Sequence, residues 1–204
     1  MANNALETRP LGKSGIDVTR MGIGLWAIGG SAWGPVEDKN SLDTIDAALD
    51  AGITFFDTAD VYGDGHSEEL LAQAMQGRRD RFIVGTKIGW RNFDREKNQT
   101  AYDTVEKLIA GVESNLRRLN TDYVDLIQSH ISYYEPTMTV FLEGFQRLQR
   151  DGKVRAYGVR RVILSISSGS MRMGAVRRCK LTIAYSTARP KRRFSRTASK
   201  TTSA

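Results

Sequence analysis

The sequence is poor in the residues that brace small proteins covalently or through metal. A single cysteine, Cys179, excludes an internal disulfide and offers no metal-ligand spacing. Two histidines, His66 and His130, exclude a histidine-rich metal site. No stretch approaches the roughly 18 consecutive apolar residues of a membrane span, and residues 1–10 carry no apolar run behind basic ones, so the expectation is a cytoplasmic protein. Acidic residues are missing as well, but only at one end. Through Val159 there are 18 Lys and Arg against 23 Asp and Glu, whereas from Arg160 onward there are 12 Lys and Arg and no acid. The net charge of +7 is thus the sum of a mildly acidic body and a strongly basic tail.

What is present in the body is an alternation of short β-branched or aromatic runs with longer stretches of helical period. That pattern favours an α/β fold with parallel strands joined by crossover helices. Residues 9–18 read as a small hairpin around Lys13-Ser14-Gly15, with a glycine available for positive φ. Five strands are expected at residues 21–25, 53–57, 81–86, 123–128 and 154–159. Four helices are expected between them, at about 40–51, 67–77, 103–119 and 138–150. In the first, Leu42, Ile45 and Leu49 form a buried stripe, with Asp38 or Ser41 as cap and Gly52 as stop. Ser67 is an N-cap candidate for the second, with Glu68 and Glu69 in its first turn. Val105, Leu108, Ile109, Val112, Leu116 and Leu119 line one side of the third, and Asn120 suits a left-handed stop. Beyond Val159 the regularity ends. Residues 160–204 contain eight serines, five threonines and the twelve cations, and only residues 162–166 have the make-up of a further strand. Low apolar content with high net charge predicts disorder there.

In parallel α/β folds, polar residues at the carboxyl ends of strands converge on one active face. Four candidates stand there: Asp57 at the end of the second strand, Tyr62 in the loop after it, Lys87 at the end of the third, and His130 just beyond the fourth. Singly, each has a bland explanation, since a strand-end Asp caps loops, a lone Tyr packs and a lone Lys is solvated. Together they have a mechanism. A phenol ionises near pH 10, too high for an efficient proton donor at neutral pH, unless an ammonium beside it stabilises the phenolate. A carboxylate keeps that ammonium charged and oriented, and an imidazole across the pocket can hold a carbonyl oxygen against the phenol. Such a set reduces carbonyls without metal.

These residues sit in a string, Gly52-Ile53-Thr54-Phe55-Phe56-Asp57-Thr58-Ala59-Asp60-Val61-Tyr62-Gly63 followed by Ser67-Glu68, that closely resembles the second-strand signature of aldo-keto reductases. The resemblance continues through Val84-Gly85-Thr86-Lys87, Leu126-Ile127-Gln128-Ser129-His130 and Gly152-Lys153-Val154-Arg155-Ala156-Tyr157-Gly158-Val159. It also takes in Arg9-Pro10-Leu11-Gly12-Lys13-Ser14-Gly15 and Gly22-Ile23-Gly24-Leu25-Trp26, and so covers residues 9–159. It implies a (β/α)8 barrel of the TIM type, here incomplete, and a soluble oxidoreductase that reduces aldehydes or ketones to alcohols with NADPH. By the same resemblance Tyr62 is the general acid, Lys87 and Asp57 tune it, and His130 orients the carbonyl. Leu25, Trp26 and Asp57 match positions near the nicotinamide-ribose end of the cofactor, although the family often has threonine where Leu25 stands, and Trp26 reads equally well as a core or rim aromatic.

The resemblance breaks after Val159. The family normally has a Ser-Asn pair there for the nicotinamide carboxamide, and this chain has Arg160-Arg161. A barrel of this kind takes roughly 250 residues, and five strands do not close it. The simultaneous loss of periodicity, acids and resemblance is what an out-of-frame or otherwise altered C-terminus produces. The expected consequences are unpaired edges on the first and fifth strands, weak cofactor binding and doubtful catalytic competence. Two other readings remain open. The twelve-cation tail could engage nucleic acid or another polyanion in a non-catalytic binding protein, although it shows only Tyr185 and Phe194 as aromatics. The chain could also be a non-catalytic relative that senses cofactor.

Overall fold

A computed structural model of the chain describes residues 6–30, 34, 36–97, 99–131, 135–161 and 180–182. The N-terminal hairpin forms as the sequence suggests, from β1 (Thr8–Pro10) and β2 (Asp17–Thr19), with Gly15 at φ +72° in its turn. Next come β3 (Gly22–Gly24), α1 (Asp38–Asp50), β4 (Phe55–Asp57), α2 (His66–Met75), β5 (Ile83–Ile88), α3 (Val105–Arg118), β6 (Val124–Ser129), α4 (Glu135–Arg150) and β7 (Val154–Arg161). The five strands β3 to β7 are parallel and lie side by side in sequence order. An unreversed order of this kind winds one way only, which is the progression of a (β/α) barrel rather than of a doubly wound sheet. Five parallel strands and four helices form an incomplete barrel.

Side-chain alternation along the strands divides the apolar residues between two faces. Phe56, Val84, Ile127 and Tyr157 belong to a large core that also takes Ile45 and Leu49 of α1, Leu71 and Met75 of α2, Leu108, Val112 and Leu116 of α3, and Phe141 and Phe145 of α4. Their neighbours in sequence, Phe55, Ile83, Leu126 and Ala156, face the other way and pack with Leu11, Ile16 and Val18 of the hairpin. The hairpin therefore covers the inner face of the sheet while the helices cover the outer. Each fully buried phenylalanine of the outer core, such as Phe56 against Phe82 at 4.8 Å between ring centroids, contributes about 2–3 kcal/mol by removal of apolar surface from water.

Several local expectations need correction. Helix α1 begins at Asp38, so Asp38 lies in its first turn, Glu37 is the N-cap, and no side chain caps it. Helix α2 begins one residue before Ser67, after Gly65 at φ +104°; Ser67 is buried and spent on tertiary contacts. Thr104 caps α3 by accepting from the Lys107 amide, and Asn120 takes the left-handed stop at φ +47°. Helix α4 starts three residues earlier than its period suggests. Strand β7 runs to Arg161 and pairs there with an antiparallel strand β8 (Lys180–Thr182), so the upper end of the fifth parallel strand is not a bare edge. The strand expected at residues 162–166 and the disorder expected over the remaining tail lie outside the described residues. No described helix is long and apolar enough to cross a membrane.

Candidate active site at the carboxyl ends of the strands

Register decides what meets at this end of the sheet. Asp57 stands level with Gly85 on β5, and Lys87 with Gln128 on β6. After Asp57 the chain continues along β5 instead of leaving the sheet: the Thr58 amide donates to the Gly85 carbonyl (2.8 Å) and the Asp60 amide to that of Lys87 (3.1 Å). Two further residues bring Tyr62 over Lys87. On the other side the His130 amide donates to the Ile88 carbonyl (2.8 Å), which holds His130 just above β6.

The structure brings all four sequence-derived candidates together. The Lys87 ammonium donates to Asp57 Oδ2 (2.6 Å), to the Thr58 carbonyl (2.9 Å) and to the Tyr62 hydroxyl (3.3 Å). Three acceptors match the three N–H bonds of an ammonium, so the group is held in one orientation. Its side chain is 13% exposed, with the Asp57 carboxylate beside it at 31%. The Tyr62 and His130 rings meet edge to face at 5.8 Å, and His130 is buried. Trp26 is half exposed, with its ring 6.3 Å from that of Tyr62. Leu25 is placed differently. Its surface is wholly buried in the outer core, its amide donates to the Asp57 carbonyl and its carbonyl accepts from Ser67 Oγ. Of the three residues matched to a cofactor, Trp26 and Asp57 have surface to offer, an apolar ring and a hydrogen-bond acceptor. Among the described residues no group of three His, Cys, Asp or Glu side chains is placed to hold a metal ion.

The loop that carries Tyr62 is unusually constrained. Gly63, Asp64 and Gly65 all have positive φ (60°, 57° and 104°). Gly63 lies directly against Gly29, so that a Cβ on Gly29 would fall 2.5 Å from the Gly63 nitrogen and one on Gly63 would overlap the Gly29 carbonyl. Ser67 ties the base of the loop by bonding Thr58 Oγ1 (2.9 Å) and the Leu25 carbonyl (3.0 Å).

Beneath the site is a buried charge cluster that the sequence reading missed. Glu68, fully buried, accepts from Thr86 Oγ1 (2.6 Å) and from Arg118 Nε (2.7 Å). Arg118 also donates to Asn115 Oδ1 (2.7 Å), whose amide reaches the Lys87 carbonyl (3.4 Å). Asp60 is fully buried as well, and neither carboxylate oxygen has a hydrogen-bond partner at normal geometry among the described residues. Burial pushes Asp60 up to about 6, against the pull of the Gly89 amide, Arg118, Arg91 and the Val61 amide. Burial likewise pushes Glu68 up to about 7, opposed by Arg118 and Thr86 and helped by the charge of Asp60. Tyr102, on the approach to α3, is driven up to about 12 by burial and by Asp60. In the sequence Glu68 looks like a first-turn acid complementing a helix dipole and Asp60 like a loop residue. The partner that makes them a cluster, Arg118, is 50 residues downstream of Glu68.

Comparison with known proteins shows the family. The Aldo/keto reductase family is matched by residues 20–198, beyond the point where the recognisable motifs stop. The aldo-keto reductase YhdN of Bacillus subtilis is 41% identical over 160 residues, covering 76% of this chain and 46% of that protein. The NADH-specific methylglyoxal reductase of Escherichia coli is 35% identical over 167 residues, covering 75% of this chain and 51% of that protein. A crystal structure of an aldo-keto reductase from Klebsiella pneumoniae in complex with NADPH superposes with a TM-score of 0.59 at 30% identity, covering 70% of this chain and 45% of that one. The chain spans about half the length of the relatives it matches.

Proposed function

Because the chain belongs to the aldo/keto reductase family, we propose that its site serves the reduction of a small aldehyde or ketone to an alcohol, with NADPH as hydride donor and Tyr62 as general acid. A bound nicotinamide supplies the hydride, which no side chain can. Tyr62 gives its hydroxyl proton to the carbonyl oxygen as the carbon is reduced, so that the phenol O–H bond breaks and the alcohol O–H bond forms. Lys87, 3.3 Å from the same oxygen, stabilises the negative charge left there. Asp57 holds Lys87 in that position, and His130, edge-on to Tyr62, orients the carbonyl oxygen toward the phenol. Trp26 and Asp57 flank the place where the nicotinamide end would lie. The observation that carries the reading is the Lys87 ammonium shared among Asp57, the Thr58 carbonyl and the Tyr62 hydroxyl.

The test is oxidation of NADPH, followed by its absorbance, with a generic aldehyde and the purified full chain; NADH is run in parallel because one relative is specific for it by name. Tyr62→Phe removes the proton and leaves the ring. Loss of general acid catalysis lowers turnover by roughly 10²–10⁴-fold. Aldehyde-dependent oxidation that survives Tyr62→Phe, or the absence of such oxidation in the unsubstituted chain with either nucleotide, overturns the proposal.

A further inference from the structure

Arg91 lies four residues past Lys87, in the loop that leaves β5, and its side chain turns back toward the Tyr62 loop. One guanidinium nitrogen, Nη1, donates to two backbone carbonyls, that of Asp60 at 3.1 Å and that of Asp64 at 3.0 Å. Those carbonyls stand two residues before and two residues after Tyr62. The other nitrogen, Nη2, pairs with Asp64 Oδ1 at 3.1 Å. We propose that Arg91 is a positioning residue for Tyr62: its guanidinium bridges the two ends of the loop that carries the phenol and ties that loop to the strand that carries Lys87. The inference rests on the reading of Tyr62 as general acid and extends it to a residue the sequence did not single out.

The physical need for such a bridge follows from the loop itself. With Gly63, Asp64 and Gly65 in the left-handed region, the loop lacks the repeating hydrogen bonds of a helix, and its carbonyls need other donors. Within the loop the Tyr62 amide donates to the Ala59 carbonyl (3.1 Å) and the Asp64 amide to the Val61 carbonyl (3.3 Å), and the His66 amide at the start of α2 donates to the Tyr62 and Gly63 carbonyls. The Lys87–Tyr62 contact is long for a hydrogen bond, so a small outward drift of the loop breaks it. A guanidinium suits this task because its planar fork offers several donors at fixed angles, whereas a lysine in its place is a flexible point charge. The exposed Asp64 carboxylate adds little to the grip, since exposed ion pairs contribute little; the two carbonyl bonds, made by a side chain that is largely buried, carry it.

The test uses the full chain with Arg91→Met, which keeps much of the stem, and Arg91→Lys, which keeps the charge. Two readouts are taken, amide hydrogen exchange resolved by peptide and steady-state reduction of an aldehyde. Arg91→Met is expected to speed exchange over residues 59–65 about tenfold while residues 83–88 and 124–129 keep their rates. In the same variant kcat falls at least tenfold with KM for the aldehyde within about twofold, and Arg91→Lys recovers only part of both losses. Unchanged exchange at residues 59–65, or equal acceleration throughout the chain, overturns the proposal. Full recovery by Arg91→Lys overturns it too, because charge alone would then suffice. Exchange reads the loop without turnover, so it decides the role of Arg91 even if the unsubstituted chain reduces no aldehyde, an outcome that would count against the proposed function only.

Discussion

Replacing Asp60 with asparagine should remove a specific component of the pH dependence of stability. Asp60 is fully buried and raised from 3.8 to about 6, so between those values the folded chain holds a proton that the unfolded chain has released. Rising pH therefore favours unfolding across that window. The stabilisation is fully present below pH 3.8 and is lost as pH rises through about 6. The rise from 3.8 to about 6 corresponds to roughly 3 kcal/mol. The charges facing Asp60 are Glu68 from α2, Arg118 from α3 and Arg91 from the loop after β5, with Tyr102 close by. Without the charge of Asp60, Glu68 is raised less in the variant, which works in the same direction, so the difference reports Asp60 together with its effect on Glu68. The assay is urea unfolding at a series of pH values from 4 to 8. For a chain of this size the difference amounts to a midpoint change of roughly 1–3 M urea. Relative to the unsubstituted chain, Asp60→Asn should gain stability steadily as pH rises from 4 to 7, whatever constant offset the buried amide imposes. Parallel pH curves for the two proteins would refute the reasoning, and would mean that Asp60 is ionised throughout by partners the burial argument underrates.

Two further substitutions probe the frame around the site. Gly63→Ala meets the Gly29 carbonyl and places a side chain at φ +60°; the backbone conformation alone costs about 1–2 kcal/mol, and the overlap forces the Tyr62 loop away from Lys87. Thermal unfolding and NADPH oxidation should therefore fall together, and normal values of both would show that the two loops do not touch. At the opposite end of the strands, Asp125 is almost fully buried and accepts from Arg79 (2.8 Å), Arg155 (2.5 Å) and the Val84 amide (2.9 Å). Asp125→Ala strands these donors and should destabilise the chain by on the order of 3 kcal/mol in urea unfolding, since breaking a buried pair by removing one partner leaves an uncompensated charge. A loss below about 1 kcal/mol would show that the arginines reach solvent freely.

Much of this molecule was legible from short-range pattern. The period of Leu108, Val112 and Leu116 placed α3, and Asn120 closed it, because helix geometry repeats within the covalent chain and needs no knowledge of neighbours. The positions of Asp57, Tyr62, Lys87 and His130 at strand ends were equally readable, since a parallel α/β order sends those ends to one face. Capping was less so: Ser67 has the composition of an N-cap, yet burial beside Leu25 and Thr58 gives its hydroxyl better partners than its own helix. Strand β8 was not foreseen in a segment whose composition spoke for disorder, because pairing with Val159, Arg160 and Arg161 is supplied by β7.

The sequence by itself determined the order of elements, the face on which chemistry is possible and the four residue types that stand there. These follow from spacing, and spacing survives any arrangement of the chain. Only the tertiary structure decided that Lys87 touches three acceptors at once, that Leu25 is buried in the core while Trp26 is half exposed, and that Asp60 and Glu68 are buried with Arg118 while Arg91 grips the Tyr62 loop. The reason is electrostatic. A carboxylate's ionisation and an arginine's grip depend on which distant groups share its low-dielectric surroundings, and those groups, up to 50 residues away, are chosen by packing.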